Sequence, residues 1–328
     1  MSRFGATIFG CEGRRLGAAE AAFFREAQPF GFILFGRNIG DAAQIRALCD
    51  ALRNSVGREA PILIDQEGGR VQRLRAPLAT DWSPPLDFVS AAGARAERAL
   101  FLRYALTAAE LRRLGIDTNC APMLDVVSEG THEFLRNRCY GDDPALVARL
   151  GRAVADGLLA GGVMPVVKHI PGHGRSRVDS HLDLPRVTVS RAELERDFAP
   201  FRALSDLGMG MTAHLVYEAY DPRPATVSAE MLRLIREDIG FDGLLMTDDI
   251  SMQALAGSLS ERSAAALAAG CDVVLHCNGA LAEMAAVADA AGAMSPRAQA
   301  RAEAALAVRP AAAMLDIPAL TAELEALF

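Results

Sequence analysis

The sequence predicts an α/β protein with the (β/α)8 fold of a TIM barrel, formed as a single domain over residues 1–328. Eight short apolar segments recur along the chain, and segments with the periodicity of amphipathic helices separate them. The apolar segments read as nearly continuous hydrophobic runs, as expected for parallel strands that are buried on both faces. A chain of 328 residues also lies within the size range of one barrel.

The eight predicted strands are rich in branched and aromatic side chains. They cover residues 7–10, 31–35, 61–64, 116–120, 163–167, 209–212, 243–247 and 272–277. Polar residues stand at or beyond the carboxyl ends of five strands, namely Asp65-Gln66-Glu67, Asp125, Lys168-His169, His214 and Asp248-Asp249. Because the carboxyl ends of barrel strands meet at one mouth, we expect these side chains to lie close together there.

Capping residues mark the ends of two helices. Asp41, with Gln44 three residues later, predicts a helix that stops at Gly57. Asp143-Pro144 predicts a second helix, because proline suits the first helical position, and this helix is expected to end at Gly161-Gly162.

The remaining helices follow from similar signals. Ser190 and Glu193 form a capping box for a third helix. A fourth is predicted over residues 260–270. The alanine-rich stretch at 279–314 is expected to form a helix that closes the barrel, and 320–328 a terminal helix.

Composition excludes several classes of protein. Apolar residues make up 51% of the chain and charged residues 23%, which is typical of a globular core. The net charge is -7 without a block of like charge, so we expect neither nucleic acid nor a membrane as a partner. No leader segment or long apolar run is present, which favours a cytoplasmic location. The six cysteines lack paired spacing and are expected to be free thiols.

One segment stands out from the arginine-rich composition. Lys168 is the only lysine among 34 lysine and arginine residues, and it begins KHIPGHG at 168–174. The compact ammonium group of lysine fits where the planar guanidinium of arginine does not. Three of the six histidines lie in this segment or shortly after it, at positions 169, 173 and 181. We interpret this segment as the active centre.

Asp248 and Asp249 follow the predicted seventh strand. A carboxylate delivered to the mouth by an apolar strand suits a nucleophile or a metal ligand. Either residue would also serve as the N-cap of a helix over 251–255. We assign the chemistry to Asp248 and the capping to Asp249.

Asp179 and His181, in DSH at 179–181, form a candidate acid–base pair. This spacing lets the carboxylate accept from one imidazole nitrogen and support a charged ring. With an ordinary pKa of about 6.5, the histidine would exchange protons near neutral pH. The spacing alone leaves open a solvated loop with incidental polar residues. His173, between two glycines, is expected to shape the loop.

His169 and His173 also have the spacing of metal ligands one helical turn apart. Pro171 and Gly172 stand between them and disfavour a helix, so we expect no metal ion.

Lys168 and His169 are interpreted instead as paired donors to the hydroxyl groups of a neutral polyol. Asp65, Arg73 and Arg138 would complete a ring of hydrogen bonds, because a sugar needs both donors and acceptors.

The segment KHIPGHG, followed by DSHLDLP at 179–185, resembles the signature of family 3 glycoside hydrolases, in particular the bacterial β-N-acetylhexosaminidases of peptidoglycan recycling. The resemblance spans residues 31–277. It includes IDQEGGRVQR at 64–73, APMLDV at 121–126, NRCYG at 137–141, MTAH at 211–214 and TDDISM at 247–252.

This resemblance implies a role for each candidate residue. Asp248 would attack the anomeric carbon, while His181, with Asp179 as its partner, would protonate the leaving oxygen. The residues that would bind the terminal N-acetylglucosamine (GlcNAc) are Asp65, Arg73, Arg138, Lys168 and His169. The implied substrates are muropeptides in which GlcNAc is linked to anhydro-N-acetylmuramic acid, with or without peptide. No cofactor is implied.

The expected activity is that of a retaining exo-β-N-acetylglucosaminidase that works by double displacement. Most retaining glycosidases use two carboxyl groups, so a histidine as acid and base is a departure. Gly172 and Gly174 are expected to leave the loop mobile, so that His181 swings in when sugar binds. The chain departs from its relatives at Arg175-Ser176-Arg177 and at Cys139-Tyr140.

Three alternatives stay open. A metal-dependent barrel hydrolase would use His169, His173, His214 and an aspartate. A sugar-binding protein without activity would bind GlcNAc and release no product. A family 3 β-glycosidase of other specificity, such as a β-glucosidase, would prefer another sugar.

Overall fold

The computed structural model describes residues 3–177, 184–311 and 314–328. Its central sheet has eight strands, each of which overlaps one predicted strand. They are β1 (Gly5–Gly10), β2 (Pro29–Leu34), β3 (Ile62–Ile64), β4 (Thr118–Asn119), β5 (Met164–Pro165 and Val167–Ile170), β6 (Met209–Thr212), β7 (Leu244–Asp249) and β8 (Val273–His276). Strand β5 has two segments, with Val166 between them.

The sheet closes on itself through the two segments of β5. The strand order runs from the first segment of β5 through β4, β3, β2, β1, β8, β7 and β6 to the second segment of β5. Every ladder in this order is parallel. Because Met164–Pro165 and Val167–Ile170 flank a single residue, the two ends of the order meet. The predicted (β/α)8 barrel is confirmed.

Helices surround the barrel, as the alternation in the sequence predicts. They are α1 (Ala18–Ala27), α2 (Ala42–Val56), α3 (Pro85–Ala92), α4 (Ala96–Arg113), α5 (Glu133–Arg136), α6 (Pro144–Ala160), α7 (Arg191–Ala203), α8 (Ala229–Glu237), α9 (Leu259–Ala269), α10 (Leu281–Ala291), α11 (Pro296–Ala307) and α12 (Ile317–Glu325). Short 3-10 turns occur at Gly36–Asn38, Gly93–Arg95 and Ala225–Val227. Two short pairs lie outside the barrel: Gln66–Gly68 with Val71–Gln72, and Arg186–Val187 with Val216–Tyr217.

The predicted N-caps at Asp41, Asp143 and Ser190 are all present. The side chain of Asp41 accepts from the backbone N–H of Gln44, and Asp143 caps α6. Ser190 and Glu193 form the expected capping box. These caps depend only on residues within one turn, so they are visible in the sequence.

Three helix boundaries differ from prediction. Helix α9 begins one residue earlier than expected, because Ser258 with Glu261 provides the capping box. The alanine-rich stretch forms two helices, α10 and α11, because Gly292 takes a φ of +60° after α10. The terminal helix α12 begins at Ile317, where Asp316 caps it.

The amino-terminal end of the barrel is covered by α11. Met294, Ala298 and Ala302 belong to the apolar cluster that fills the barrel interior, together with strand residues such as Ile8 and Met246. The backbone N–H of Met294 also donates to the carbonyl of Phe4, just before β1. The carboxyl-terminal end is therefore the open mouth.

No helix in the described parts of the chain is both long enough and apolar enough to cross a membrane. The six cysteines, all within the described residues, are free thiols.

Candidate active site

A cavity of about 260 Å³ opens at the carboxyl ends of the strands. This volume is just below the ~300–1,000 Å³ of pockets that hold drug-sized ligands, and it suits one sugar ring. The cavity is lined by six of the residues predicted from the sequence: Asp65, Arg73, Arg138, Lys168, His169 and Asp248. These residues come from four separate segments of the chain, and the barrel brings them together.

Lys168 lies at the centre of a buried ionic network. Its Nζ is 2.9 Å from Oδ1 of Asp65 and 2.6 Å from Oε1 of Glu67. Arg73 donates to Asp65 at 2.9 Å, and Arg138 donates to both oxygens of Glu67 at 2.8 and 2.9 Å. The side chain of Lys168 is only 2% exposed, which agrees with the reading that a compact cation is required at this position.

The charges of this network keep both carboxylates ionised. Burial by itself raises the pKa of Glu67, but the charges of Arg138 and Lys168 outweigh burial and lower the pKa to about 2. The pKa of Asp65 is lowered in the same way by Lys168 and Arg73. In return, the carboxylates hold the pKa of Lys168 above its usual value despite burial.

Glu67 was not predicted as a site residue. It stands two positions after Asp65, and in an extended segment residues i and i+2 point to the same side. That alternation was the available signal. The partner that makes Glu67 important is Arg138, 71 residues away, and no local pattern indicates that contact.

Asp248 is the predicted nucleophile, and it lies on the cavity wall near the end of β7. Its Oδ1 accepts from the backbone N–H of Asp249 at 2.8 Å. Burial raises the pKa of Asp248, but the nearby imidazoles of His169 and His214 outweigh that effect, and the pKa lies below its usual value. The carboxylate is therefore ionised at neutral pH and available to attack an electrophile.

Asp249 holds the turn that follows. Its Oδ1 accepts from the backbone N–H of Ser251 at 3.1 Å, and its Oδ2 accepts from the Ser251 hydroxyl at 2.7 Å. The structure has a turn and no α-helix over residues 251–255, so the expected N-cap is a turn-stabilising carboxylate. Asp249 therefore serves the backbone, as a turn residue and not as the predicted N-cap.

His169 pairs with a buried carboxylate. Its Nδ1 lies 2.8 Å from Oδ2 of Asp125, which has no exposed surface. The other carboxylate oxygen of Asp125 accepts from the backbone N–H of His173 at 2.5 Å. Asp125 therefore ties the end of β5 to the loop that follows. The sequence marked Asp125 as a polar residue beyond β4 but assigned it no role.

His173 lines the cavity, and burial lowers its pKa to about 4, assisted by the charge of His169. It is therefore neutral at pH 7. Gly172 has a φ of +140°, and a side chain at Gly174 would collide with the backbone of Val126. The two glycines thus have steric reasons for their positions in the loop.

His214 is committed to other contacts. Its Nδ1 lies 2.7 Å from Oγ1 of Thr226, and its Nε2 lies 3.0 Å from the carbonyl oxygen of Asp249. Burial lowers the pKa of His214. Within the ranges that the structure describes, no group of three or more His, Cys, Asp or Glu residues is placed to hold a metal ion.

The predicted acid–base pair, Asp179 and His181, lies outside the described residues. Of the residues that depart from the family pattern, Arg175 donates to Asp197 at 2.5 Å and is thereby joined to α7. Cys139 and Tyr140 are fully buried.

The chain matches a known family over most of its length. Residues 15–307 match the glycosyl hydrolase family 3 N terminal domain. A β-hexosaminidase of Alkalilimnicola ehrlichii is 40% identical over 284 residues, which are 84% of this chain and 81% of that protein. A β-hexosaminidase of Tolumonas auensis is 38% identical over 278 residues, or 83% of this chain and 81% of that protein.

Solved structures of similar proteins support the same family match. NagZ from Neisseria gonorrhoeae in complex with N-trifluoroacetyl-D-glucosamine superposes with a TM-score of 0.86 at 31% identity, and the match covers 99% of this chain and 98% of that chain. A family 3 β-N-acetylglucosaminidase from a Paenibacillus species has the same TM-score at 30% identity, over 98% of this chain and 67% of that chain. The resemblance read from the sequence motifs is confirmed, and the chain belongs to glycosyl hydrolase family 3, in its β-hexosaminidase group.

Proposed function

We propose that this enzyme is a retaining exo-β-N-acetylglucosaminidase that removes terminal GlcNAc from muropeptides in the cytoplasm, with residues 1–328 acting as one catalytic domain. The observation that carries the proposal is Asp248: a half-buried carboxylate, held ionised, on the wall of a cavity the size of one sugar. Such a group suits attack on an anomeric carbon.

The cavity walls match the chemistry of an N-acetylated hexose. One part carries the donors and acceptors of Asp65, Arg73 and Lys168, which suit the hydroxyl groups of a pyranose. Apolar side chains line the same cavity, including Phe35 and Met252, and the methyl of an acetamido group can pack on them. A related protein, NagZ of Neisseria gonorrhoeae, was crystallised with N-trifluoroacetyl-D-glucosamine, which is also an N-acylated glucosamine.

The proposed reaction has two steps. In the first step an oxygen of Asp248 bonds to C1 of GlcNAc as the bond between C1 and the leaving oxygen breaks. The leaving oxygen keeps the electron pair of the broken bond and accepts a proton from His181. Water then gives a proton to His181 and bonds to C1, while the ester to Asp248 breaks and returns the carboxylate. Asp179 orients His181 throughout. Two inversions retain the anomeric configuration.

Two of the described histidines, His173 and His214, do not offer an equivalent acid. His214 uses both ring nitrogens for Thr226 and Asp249, and His173 is neutral at pH 7. The contacts of His214 also count against the metal-dependent alternative, which needs its ring nitrogens as ligands. The role of His181 rests on the DSH motif and on the family resemblance.

A trapping experiment tests the nucleophile. A 2-fluoro glycoside with a good leaving group slows the second step, so the sugar accumulates on the enzyme. We expect mass spectrometry to find the sugar on the peptide that contains Asp248. The Asp248→Asn variant should lose at least about 1,000-fold in kcat and take no label. A label on another carboxylate would contradict the proposal.

Asp117→Asn is the matched control for this experiment. Asp117 is a buried carboxylate at the opposite end of the barrel, where its Oδ1 accepts from the backbone N–H of Ile62 and its Oδ2 from Arg53. This variant should lose stability but keep its turnover per folded molecule, which separates chemistry from general damage to buried charge.

Substrate choice is tested by comparing p-nitrophenyl β-GlcNAc with the matching glucoside. Faster release from the glucoside would favour a β-glucosidase of the same family, and no release from either would favour a sugar-binding protein. Hydrolysis of GlcNAc-anhydro-N-acetylmuramic acid, with and without peptide, then tests the muropeptide assignment.

A further inference from the structure

Asp125 occupies a position where every contact is with a donor. Its Oδ2 lies 2.8 Å from Nδ1 of His169. Its Oδ1 accepts from the backbone N–H of His173 at 2.5 Å and from that of His169 at 3.4 Å. The pKa of Asp125 is below its usual value because its interactions with His169 and with the backbone N–H of His173 outweigh the effect of burial. The side chain is thus an ionised carboxylate, which can only accept.

This carboxylate settles which nitrogen of His169 carries the proton. Since Asp125 has no hydrogen to give, Nδ1 of His169 must be the donor. The opposite nitrogen, Nε2, is then an acceptor whenever the ring is neutral. Among the residues that the structure describes, none forms a hydrogen bond with Nε2, and His169 lines the cavity.

The neighbouring Lys168 is a hydrogen-bond donor and so complements the acceptor Nε2 of His169. Its ammonium carries only donors, and its contacts with Asp65 and Glu67 engage two of its three hydrogens. A sugar hydroxyl both accepts and donates, so it can take a hydrogen from Lys168 and give its own to His169. In this arrangement Lys168 is a donor and His169 an acceptor, in contrast to the two paired donors expected from the sequence.

We infer that Asp125 is a positioning residue, which fixes the tautomer of His169 so that Nε2 faces the bound sugar as an acceptor. The inference rests on the proposed function in one respect only, since the hydroxyl group that would donate a hydrogen bond to Nε2 belongs to the proposed substrate. The protonation pattern itself belongs to the free enzyme and is independent of activity.

Asp125→Asn provides a sharp test, because an amide has one acceptor and one donor end. The position of Oδ1 faces the backbone N–H groups of His173 and His169, so the amide oxygen must lie there. The amide NH2 then faces Nδ1 of His169 and forces it to become an acceptor. The imidazole of His169 must then change to the tautomer with hydrogen on Nε2, although asparagine has nearly the same shape as aspartate.

The first measurement is imidazole nitrogen NMR of the unliganded protein, at a pH above the ordinary histidine value of about 6.5. The signals of His169 are identified by their loss in His169→Gln. In the wild type, Nδ1 should carry the proton. In Asp125→Asn, Nε2 should carry it instead, while Asp117→Asn should leave His169 as in the wild type. A wild-type Nδ1 without a proton overturns the inference, even if Asp125→Asn does not fold.

The second measurement is kinetic. Loss of one charge-assisted hydrogen bond predicts that Asp125→Asn lowers kcat/KM for p-nitrophenyl β-GlcNAc by about 10- to 100-fold. If Asp125 acts through His169, the double variant with His169→Gln should fall no more than about twofold below His169→Gln alone. Fully additive losses would assign Asp125 to the loop backbone and overturn the inference. An inactive wild type would refute the proposed function and leave the tautomer result standing.

Discussion

Replacing Lys168 by methionine tests whether the buried ammonium stabilises the fold through its charge. Methionine has a similar length and no charge, so Lys168→Met leaves Asp65 and Glu67 with one cation each. Removing one partner from a buried ion pair costs roughly 3–5 kcal/mol. We expect the lower end, about 3 kcal/mol, because Arg73 and Arg138 remain as partners.

This free energy converts to a shift in melting temperature. At about 2.1 cal/mol/K per residue, a chain of 328 residues unfolds with an entropy near 0.7 kcal/mol/K. A loss of about 3 kcal/mol therefore lowers Tm by about 4 °C. The control is Arg98→Met, which removes an exposed pair with Glu323 at 2.6 Å. Surface pairs contribute about 0–1 kcal/mol, so this Tm should fall by at most about 1.5 °C.

The pH dependence of Tm shows whether the ion pairs of Lys168 cause the loss of stability. The pKa of Glu67 is lowered from 4.5 to about 2, so its ionised form stabilises the folded state fully above pH 4.5. That stability is lost as the pH falls from about 4.5 towards 2. Because Lys168 contributes to the shift, the Tm gap between wild type and Lys168→Met should narrow over this window.

Differential scanning calorimetry between pH 2 and pH 7 measures both quantities. A Tm that is unchanged in Lys168→Met at neutral pH would refute the reasoning about buried charge. A gap that stays constant down to pH 2 would show that Lys168 contributes through packing rather than through its ion pairs.

Two further predictions concern burial and close packing. Lys168 is the only lysine and is buried, so an amine-acetylating reagent should modify at most the α-amino group of the native protein. After denaturation, mass spectrometry should find one more acetyl group. A second acetyl group on the native protein would contradict the burial of Lys168. Gly157→Ala should destabilise the protein by about 1–3 kcal/mol in urea titrations, because the new Cβ collides with the carbonyl of Phe101 on α4. Gly13→Ala is the control and should have little effect, because its new Cβ meets nothing within 4 Å. Helix propensity alone favours alanine by about 1 kcal/mol, so a stabilised Gly157→Ala would mean that α4 and α6 are packed less closely.

Much of the fold was accessible from the sequence because its signals are local. The apolar runs that became β2 and β7 are continuous in the chain, and the caps at Asp41 and Ser190 act within one turn. The break between α10 and α11 was missed, because a stretch rich in alanine carries little periodic contrast.

In the candidate site, too, the residues with a local signal could be predicted and those that depend on distant partners could not. Asp65 and Asp248 could be recognised because each directly follows a predicted strand, and the barrel topology brings strand ends together. Glu67 and Asp125 were left without a role because their partners lie 71 and 44 residues away. No spacing rule connects such distant positions.

The sequence by itself determined the alternation of strands and helices, the family, and the identity of the residues that could reach the mouth. Only the tertiary structure decided that β5 closes the barrel, that Lys168 shares two carboxylates with arginines, and that Nδ1 of His169 faces Asp125. The physical reason is that periodicity and capping act between neighbours along the chain. Hydrogen-bond direction and charge balance instead depend on atoms that meet only after the barrel has closed.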